Sequence, residues 1–200
     1  LLGIAYTFRM VFRLWPEVNW VNSFRIANPG LEIPHLPRLL APMAAQLRDQ
    51  RLDAHLVMVG SGPLAGAVAE RVSALELDTR VSLLGHRDDV AEILGGLDVL
   101  VLTSDDEGVP GVIIEAAMAG CPVVTLPIGG VADVVVDGVT GIVTDDASID
   151  SLTAAVARLA RDPDERAAMA AAARSDSTRF AMEAVAGHYD QHLAEVAPDA

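Results

Sequence analysis

From residue 55 onward, short apolar runs alternate with stretches of helical periodicity, and this alternation restricts the fold more than any other feature of the chain. "HLVMVG" (55–60), "VSLLG" (81–85), "LDVLVLTS" (97–104), "PVVTL" (122–126) and "GIVTD" (141–145) read as strands. Between them, "LAGAVAERVSALEL" (64–77), "DDVAEILGG" (88–96) and "VIIEAAMAG" (112–120) read as helices, with "GVADVV" (130–135) a helical turn. Strands that are apolar almost throughout, instead of on alternate residues, are buried on both faces, which is the state of strands in a parallel sheet. Right-handed crossovers then predict an α/β fold built on a doubly wound, Rossmann-like parallel sheet. Helices near 148–161, 163–174 and 179–196 follow, with Ile114 and Met118 expected in the core. Upstream, "IAYTFRMVF" (4–12) reads as a strand and 37–50 as a helix, with turn-forming residues between them.

In such sheets ligands bind outside the carboxyl ends of the strands. Those ends are predicted at Gly60–Pro63, Gly85–Arg87, Ser104–Gly111 and Leu126–Gly130, each rich in Gly, Pro or polar residues. The most informative is "SDDEGVPGVIIEAAMAGCPVV" (104–124), where two glutamates flank a Gly/Pro turn. A helix starting near Gly111 or Val112 presents amide N–H groups without intrahelical partners and a partial positive charge, so its mouth attracts anions. Gly108, Val109, Gly111 and Val112 keep their donors, and Pro110 has none. Glu115, about one turn in, is not needed to bind phosphate but suits a ribose diol as a hydrogen-bond acceptor. Glu107 can accept hydroxyls of a second polyol. The plainer alternatives are that Glu115 complements the helix dipole and that Glu107 is a solvated loop residue.

These residues resemble a known family. "EGVPGVIIEAAMAGCPVV" (107–124) is similar to the signature of retaining nucleotide-sugar glycosyltransferases of the GT-B fold, two glutamates seven residues apart followed by EAxAxGxPVV. "VGSGP" (59–63), "LGHRDDV" (84–90), "IGGVADVVVDG" (128–138) and "TGIVTDD" (140–146) follow in the family's order. The resemblance covers about 55–196 and implies the C-terminal, donor-binding half of a two-domain enzyme. Residues 1–178 would form the donor domain, with 1–54 divergent. Residues 179–200 would carry a helix crossing to an N-terminal acceptor domain that precedes Leu1. The implied reaction moves a sugar from a nucleoside-diphosphate sugar to an acceptor with the anomeric configuration kept. The resemblance assigns the ribose to Glu115 and the transferred sugar to Glu107. Amides of Gly108, Val109, Gly111 and Val112 would lie against sugar and diphosphate, the Gly85–Arg87 turn with His86 and Arg87 would frame the base, and Gly62 would line the same cleft.

One departure is informative. The family's diphosphate clamp, an arginine and a lysine five residues later as in GRLxPEKN, matches "FRLWPEVN" (12–19) with Arg13 as the arginine and Val18 in place of the lysine. All 14 cationic side chains are arginines, so no lysine stands elsewhere. Loss of one charge-assisted contact to the diphosphate removes about 1.5–3 kcal/mol and weakens stabilisation of the leaving group. An alternative function is therefore a nucleotide-binding fragment or degenerate homologue without turnover.

Other signals are weaker. With net charge −14 the chain repels nucleic acid. "VGSGPLAG" also matches GxGxxA, but a dinucleotide site wants an acid near the end of the next strand, where Gly85 and His86 stand. No metal site and no cofactor are expected, the nucleotide sugar being substrate: "SDDE" (104–107) is a run of neighbouring loop carboxylates, and His188 and His192, at i and i+4, lack the intervening Glu of a metalloprotease helix and read as surface. Cys121, the lone cysteine, is expected as a buried small side chain without the His–Asp support of a nucleophile. A single cysteine and no uninterrupted apolar span suggest a cytoplasmic protein, free or at the membrane surface, and not one that crosses it.

Overall fold

The computed structural model describes residues 8–13, 40–104 and 108–187, with only the backbone of 8–13, 40 and 41. Strands β1 (Phe8–Arg13), β2 (Ala54–Val59), β3 (Val81–Gly85), β4 (Val99–Leu102), β5 (Val123–Thr125) and β6 (Gly141–Val143) form one sheet in the order β3-β2-β1-β4-β5-β6. All five pairings are parallel. The helices are α1 (Leu40–Asp49), α2 (Ala65–Ala74), α3 (Val90–Gly95), α4 (Gly111–Ala119), α5 (Ile149–Arg161) and α6 (Pro163–Asp176), with 3₁₀ turns η1 (Gly129–Asp133) and η2 (Ser177–Phe180). This is the doubly wound fold expected from the alternation, and its order reverses between β1 and β4, which places the ligand crevice there.

β4 shows why its sequence is apolar throughout: all four residues are buried. Val99 and Val101 join one core with Leu56 and Met58 of β2, Val68 and Val72 of α2, and Leu152 and Val156 of α5. Leu100 and Leu102 join the other with Leu94 of α3 and Val112, Ile113 and Ala116 of α4. Successive side chains of a strand point to opposite faces, so one tetrapeptide serves two cores. Across the first core α1 and α5 are also joined by polar contacts, Gln46 Nε2 donating to Asp150 Oδ1 at 2.8 Å and Thr153 Oγ1 to Gln46 Oε1 at 2.6 Å.

The starts of α5 and α6 carry side-chain caps, whereas those of α2, α3 and α4 do not. Ser148 caps α5, its side chain accepting from Ser151 N, and Asp162 caps α6, accepting from Glu165 N, with Pro163 at the first helical position. α4 begins after Pro110, which has no side-chain cap to offer, and its first turn holds no acid.

Two expectations need correction. Met118 is 47% exposed, not core, while Ile114 is half-buried and packs against the core of β4 and α4 as expected. α4 buries Val112, Ile113, Ala116 and Ala117, so Gly111, Glu115 and Met118 share its outer face at i, i+4 and i+7. The last helix does not begin at 179. η2 occupies 177–180, Ala181 is extended at φ −62°, ψ 146°, and helix resumes at 182–187. Residues 188–196 of the expected helix, with His188, Tyr189 and His192, lie outside the described residues.

Gly120 ends α4 in the left-handed region at φ 73°. An ideal Cβ there would stand 2.9 Å from Nε and Nη2 of Arg174 of α6, whose Nη2 donates to the Ala119 carbonyl at 2.6 Å. Alanine at 120 combines left-handed strain with displacement of a cation from a helix C-terminus. Gly120→Ala is expected to lower stability by about 1–2 kcal/mol, read as a shift of the urea midpoint at unchanged slope.

Candidate functional site

The parallel sheet brings every loop expected to bind ligand to one edge. Arg13, the last residue of β1, is in register with Val59 at the end of β2, and β1 runs beside β4 with Phe12 opposite Val101. Its backbone therefore lies at the mouth of the crevice; its side chain lies outside the described residues. Gly62 follows β2 as a half-buried residue, its carbonyl accepting from Ala65 N at 3.0 Å to open α2. The turns after β2 and β3 are joined directly, Gly60 N donating to Gly85 O at 2.8 Å.

His86 and Arg87 continue from β3. Both are exposed, and both face acids of their own turn: His86 Nε2 lies 3.2 Å from Asp88 Oδ1, and Arg87 binds Asp89 through Nε at 2.8 Å and Nη2 at 2.5 Å. The hydrogen bonds and charge of Arg87 hold the Asp89 carboxyl below its ordinary range, and Asp89 raises Arg87 in turn. A lowered carboxylate contributes stability above its unfolded value and loses it as pH falls through the folded one, so this fork opens only in acid. At neutral pH the Arg87 guanidinium is therefore held by Asp89 within its own turn.

After β4 come Gly108 and Val109, both exposed, then buried Pro110, and α4 with Gly111 exposed and Val112 buried in the core. Glu107 lies outside the described residues. Glu115 is exposed on the outer face of α4, one turn from the uncapped start. Its exposure places Glu115 outside the core, a position compatible with both the hydroxyl-acceptor and the helix-dipole readings.

The sequence motif did not reveal what supports this loop. Gly130, the second residue of η1, lies so close to Gly108 that an ideal Cβ on it would stand 1.9 Å from the Gly108 carbonyl oxygen. The "GG" of 129–130 was the available signal, but only the fold shows that the neighbour it admits is the loop before α4.

Cys121 is fully buried and burial pushes its thiol up to about 12, which removes the thiolate a nucleophile needs. Thiol reagents at pH 8 are expected to leave native protein unlabelled and to modify one residue per chain in denaturant. Among the described residues no group of three His, Cys, Asp or Glu side chains is placed to hold a metal, and no helix is long and apolar enough to cross a membrane.

The family model for glycosyl transferases group 1 matches residues 37–176, a span that includes every described element from α1 to α6. The chain belongs to that family. Among curated relatives, it is 31% identical over 159 residues to the UDP-Gal:alpha-D-GlcNAc-diphosphoundecaprenol alpha-1,3-galactosyltransferase of Escherichia coli, covering 79% of this chain and 37% of that enzyme. It is 36% identical over 112 residues to the Vi polysaccharide biosynthesis protein VipC/TviE of Salmonella typhi, covering 56% of this chain and 19% of that protein. The crystal structure of Anabaena HepE in complex with UDP-glucose superposes with a TM-score of 0.75 at 24% identity, covering 96% of this chain and 50% of that one. This group 1 chain thus spans half or less of the length of these relatives, and the fold seen here is that of a part of a GT-B glycosyltransferase.

Proposed function

We propose that this domain binds a nucleoside-diphosphate sugar and serves as the donor half of a retaining glycosyltransferase. The observation that carries the reading is the position of exposed Glu115 one turn inside a helix that starts without a side-chain cap at the sheet's order reversal. In this reading Glu115 accepts the ribose hydroxyls. Amides of Gly108, Val109, Gly111 and Val112 face sugar and diphosphate, and the Gly85–Arg87 turn and Gly62 frame the nucleoside. Glu107 and Arg13 act at the transferred sugar and the diphosphate, by their places in the family motif. The protein's contribution to rate is orientation of the donor and stabilisation of the departing diphosphate by fixed dipoles and Arg13, with the nucleotide sugar as substrate and no metal or cofactor in the step.

Family membership and the nucleotides named for related structures support this reading: HepE from Anabaena was crystallised with UDP and with UDP-glucose. The acceptor would meet the donor at an N-terminal domain, in the cleft between two domains typical of such sites, and a cytoplasmic location fits a soluble nucleotide sugar. A second reading, binding without turnover, is favoured by Val18 in the clamp segment and the absence of lysine.

The test is thermal unfolding with UDP, GDP, ADP and NAD. At a concentration 100 times its dissociation constant a ligand adds about 2.7 kcal/mol, or roughly 5–10 °C for a chain of this size. One nucleoside diphosphate is expected to give that rise and NAD none. No rise with any of the three diphosphates at millimolar concentration would defeat the proposal. Sugar-nucleotide hydrolysis, assayed with and without an acceptor-domain partner, then separates transfer from binding alone.

A further inference from the structure

The loop before α4 is supported through η1, and η1 is itself held from the far end of the domain. Arg179 of η2 donates Nη2 to the carbonyl of Asp133, the last residue of η1, at 2.8 Å. Its Nε donates to Asp176 Oδ2 at 3.0 Å, and its guanidinium carbon lies 4.0 Å from the centroid of the Phe180 ring. Phe180 packs against the core cluster of β4 and α4. Three residues before Asp133, Gly130 meets the Gly108 carbonyl. A contact path therefore runs from Asp176 and Phe180 through Arg179, Asp133 and Gly130 to Gly108.

We propose that Arg179 is a positioning residue for the donor site: by anchoring the end of η1 it keeps Gly130 seated on Gly108 and fixes the backbone of 108–112. The proposal rests on the nucleotide-binding reading above for its functional consequence. A 3₁₀ turn of five residues has poorer hydrogen-bond geometry than an α-helix and few bonds of its own, so an outside anchor on its last carbonyl has leverage. The guanidinium suits the task because its rigid planar fork serves two acceptors at once while lying on an aromatic ring; an ammonium has three donors but no fixed fork and no planar face. The bond goes to a backbone carbonyl, so the side chain of Asp133 is not required for it.

The test compares the wild-type chain with Arg179→Ala, Arg179→Lys and Asp176→Asn in two measurements. Hydrogen exchange of the unliganded proteins, read by mass spectrometry on peptides covering 108–119, is expected to quicken in Arg179→Ala while peptides of β2 and α2 stay unchanged. Calorimetric titration with UDP, GDP and ADP is expected to show about tenfold weaker binding of the preferred diphosphate. Arg179→Lys should recover part of both effects, and Asp176→Asn should show a smaller loss of the same kind. Unchanged exchange at 108–119 overturns the proposal, as does an affinity loss no larger than the fall in folded fraction measured by thermal unfolding. If Arg179→Ala does not fold, Arg179→Lys and Asp176→Asn decide by the same criteria. If the wild type binds none of the three diphosphates, the donor-site reading fails, and the exchange arm still decides the anchor.

Discussion

Gly130→Ala is expected to weaken nucleoside-diphosphate binding by about 100-fold while the domain still folds. At φ −77°, ψ 15° Gly130 has a backbone that any residue can adopt, so glycine is required there for space and not for conformation. The added methyl would sit 1.9 Å from the Gly108 oxygen and 2.9 Å from the Gly108 carbon. Both are backbone atoms, and no rotamer change relieves the clash. Either η1 or the loop before α4 must move by an ångström or more. Overpacking of this kind costs about 1–3 kcal/mol of stability. A displacement of about 1 Å at a positioned site costs on the order of 100-fold in function. Gly66→Ala is the control: its Cβ meets nothing within 4 Å in α2, and it should gain about 0.5–1 kcal/mol from helix propensity without touching binding. Equal nucleotide affinity in Gly130→Ala and wild type would show that the 108–112 backbone does not contact the ligand.

Glu115→Ala is expected to separate binding from stability more cleanly. Glu115 is exposed on a helix whose buried face is formed by other residues, and alanine is the better helix former, so the melting temperature should barely change. A charged acceptor lost from a ligand's hydroxyls costs about 1.5–3 kcal/mol, or roughly 10–150-fold in dissociation constant. Glu115→Gln retains one acceptor and should fall between. The loss should appear with the preferred nucleoside diphosphate and nearly vanish with pyrophosphate alone, because the assigned partner is the ribose. If pyrophosphate binding falls equally, Glu115 acts on the phosphates or on the loop, and its assignment to ribose is wrong.

Much of this molecule was legible before any coordinates. The strands read at 97–104 and 122–126 announce themselves because a strand buried on both faces must be apolar at nearly every position, and β4 and β5 are buried throughout, whereas β3, read from the same signal, lies at the sheet edge with Leu83 and Leu84 exposed. Glu115 was found by its distance from a glycine-rich turn, a purely local relation. Met118 was misplaced because helical spacing alone does not say which side of a highly apolar helix meets the sheet. The break at Ala181 was missed because "STRFAMEAVAG" (177–187) has good helix formers on both sides of it, and the turn of η2 depends on Arg179 and Phe180 finding partners in η1 and the core.

Local rules of the chain thus determine the parallel α/β architecture, the carboxyl edge as the place for ligand, and the two glutamates as candidates, because each depends on periodicity or spacing within a few residues. The strand order with its reversal between β1 and β4, the seating of Gly130 on Gly108 and the anchor of Arg179 on Asp133 were decided only in three dimensions. Each of these joins segments 20 or more residues apart, and which of many compatible partners meet is set by how the helices pack on the sheet, a collective property that no short stretch of the chain encodes.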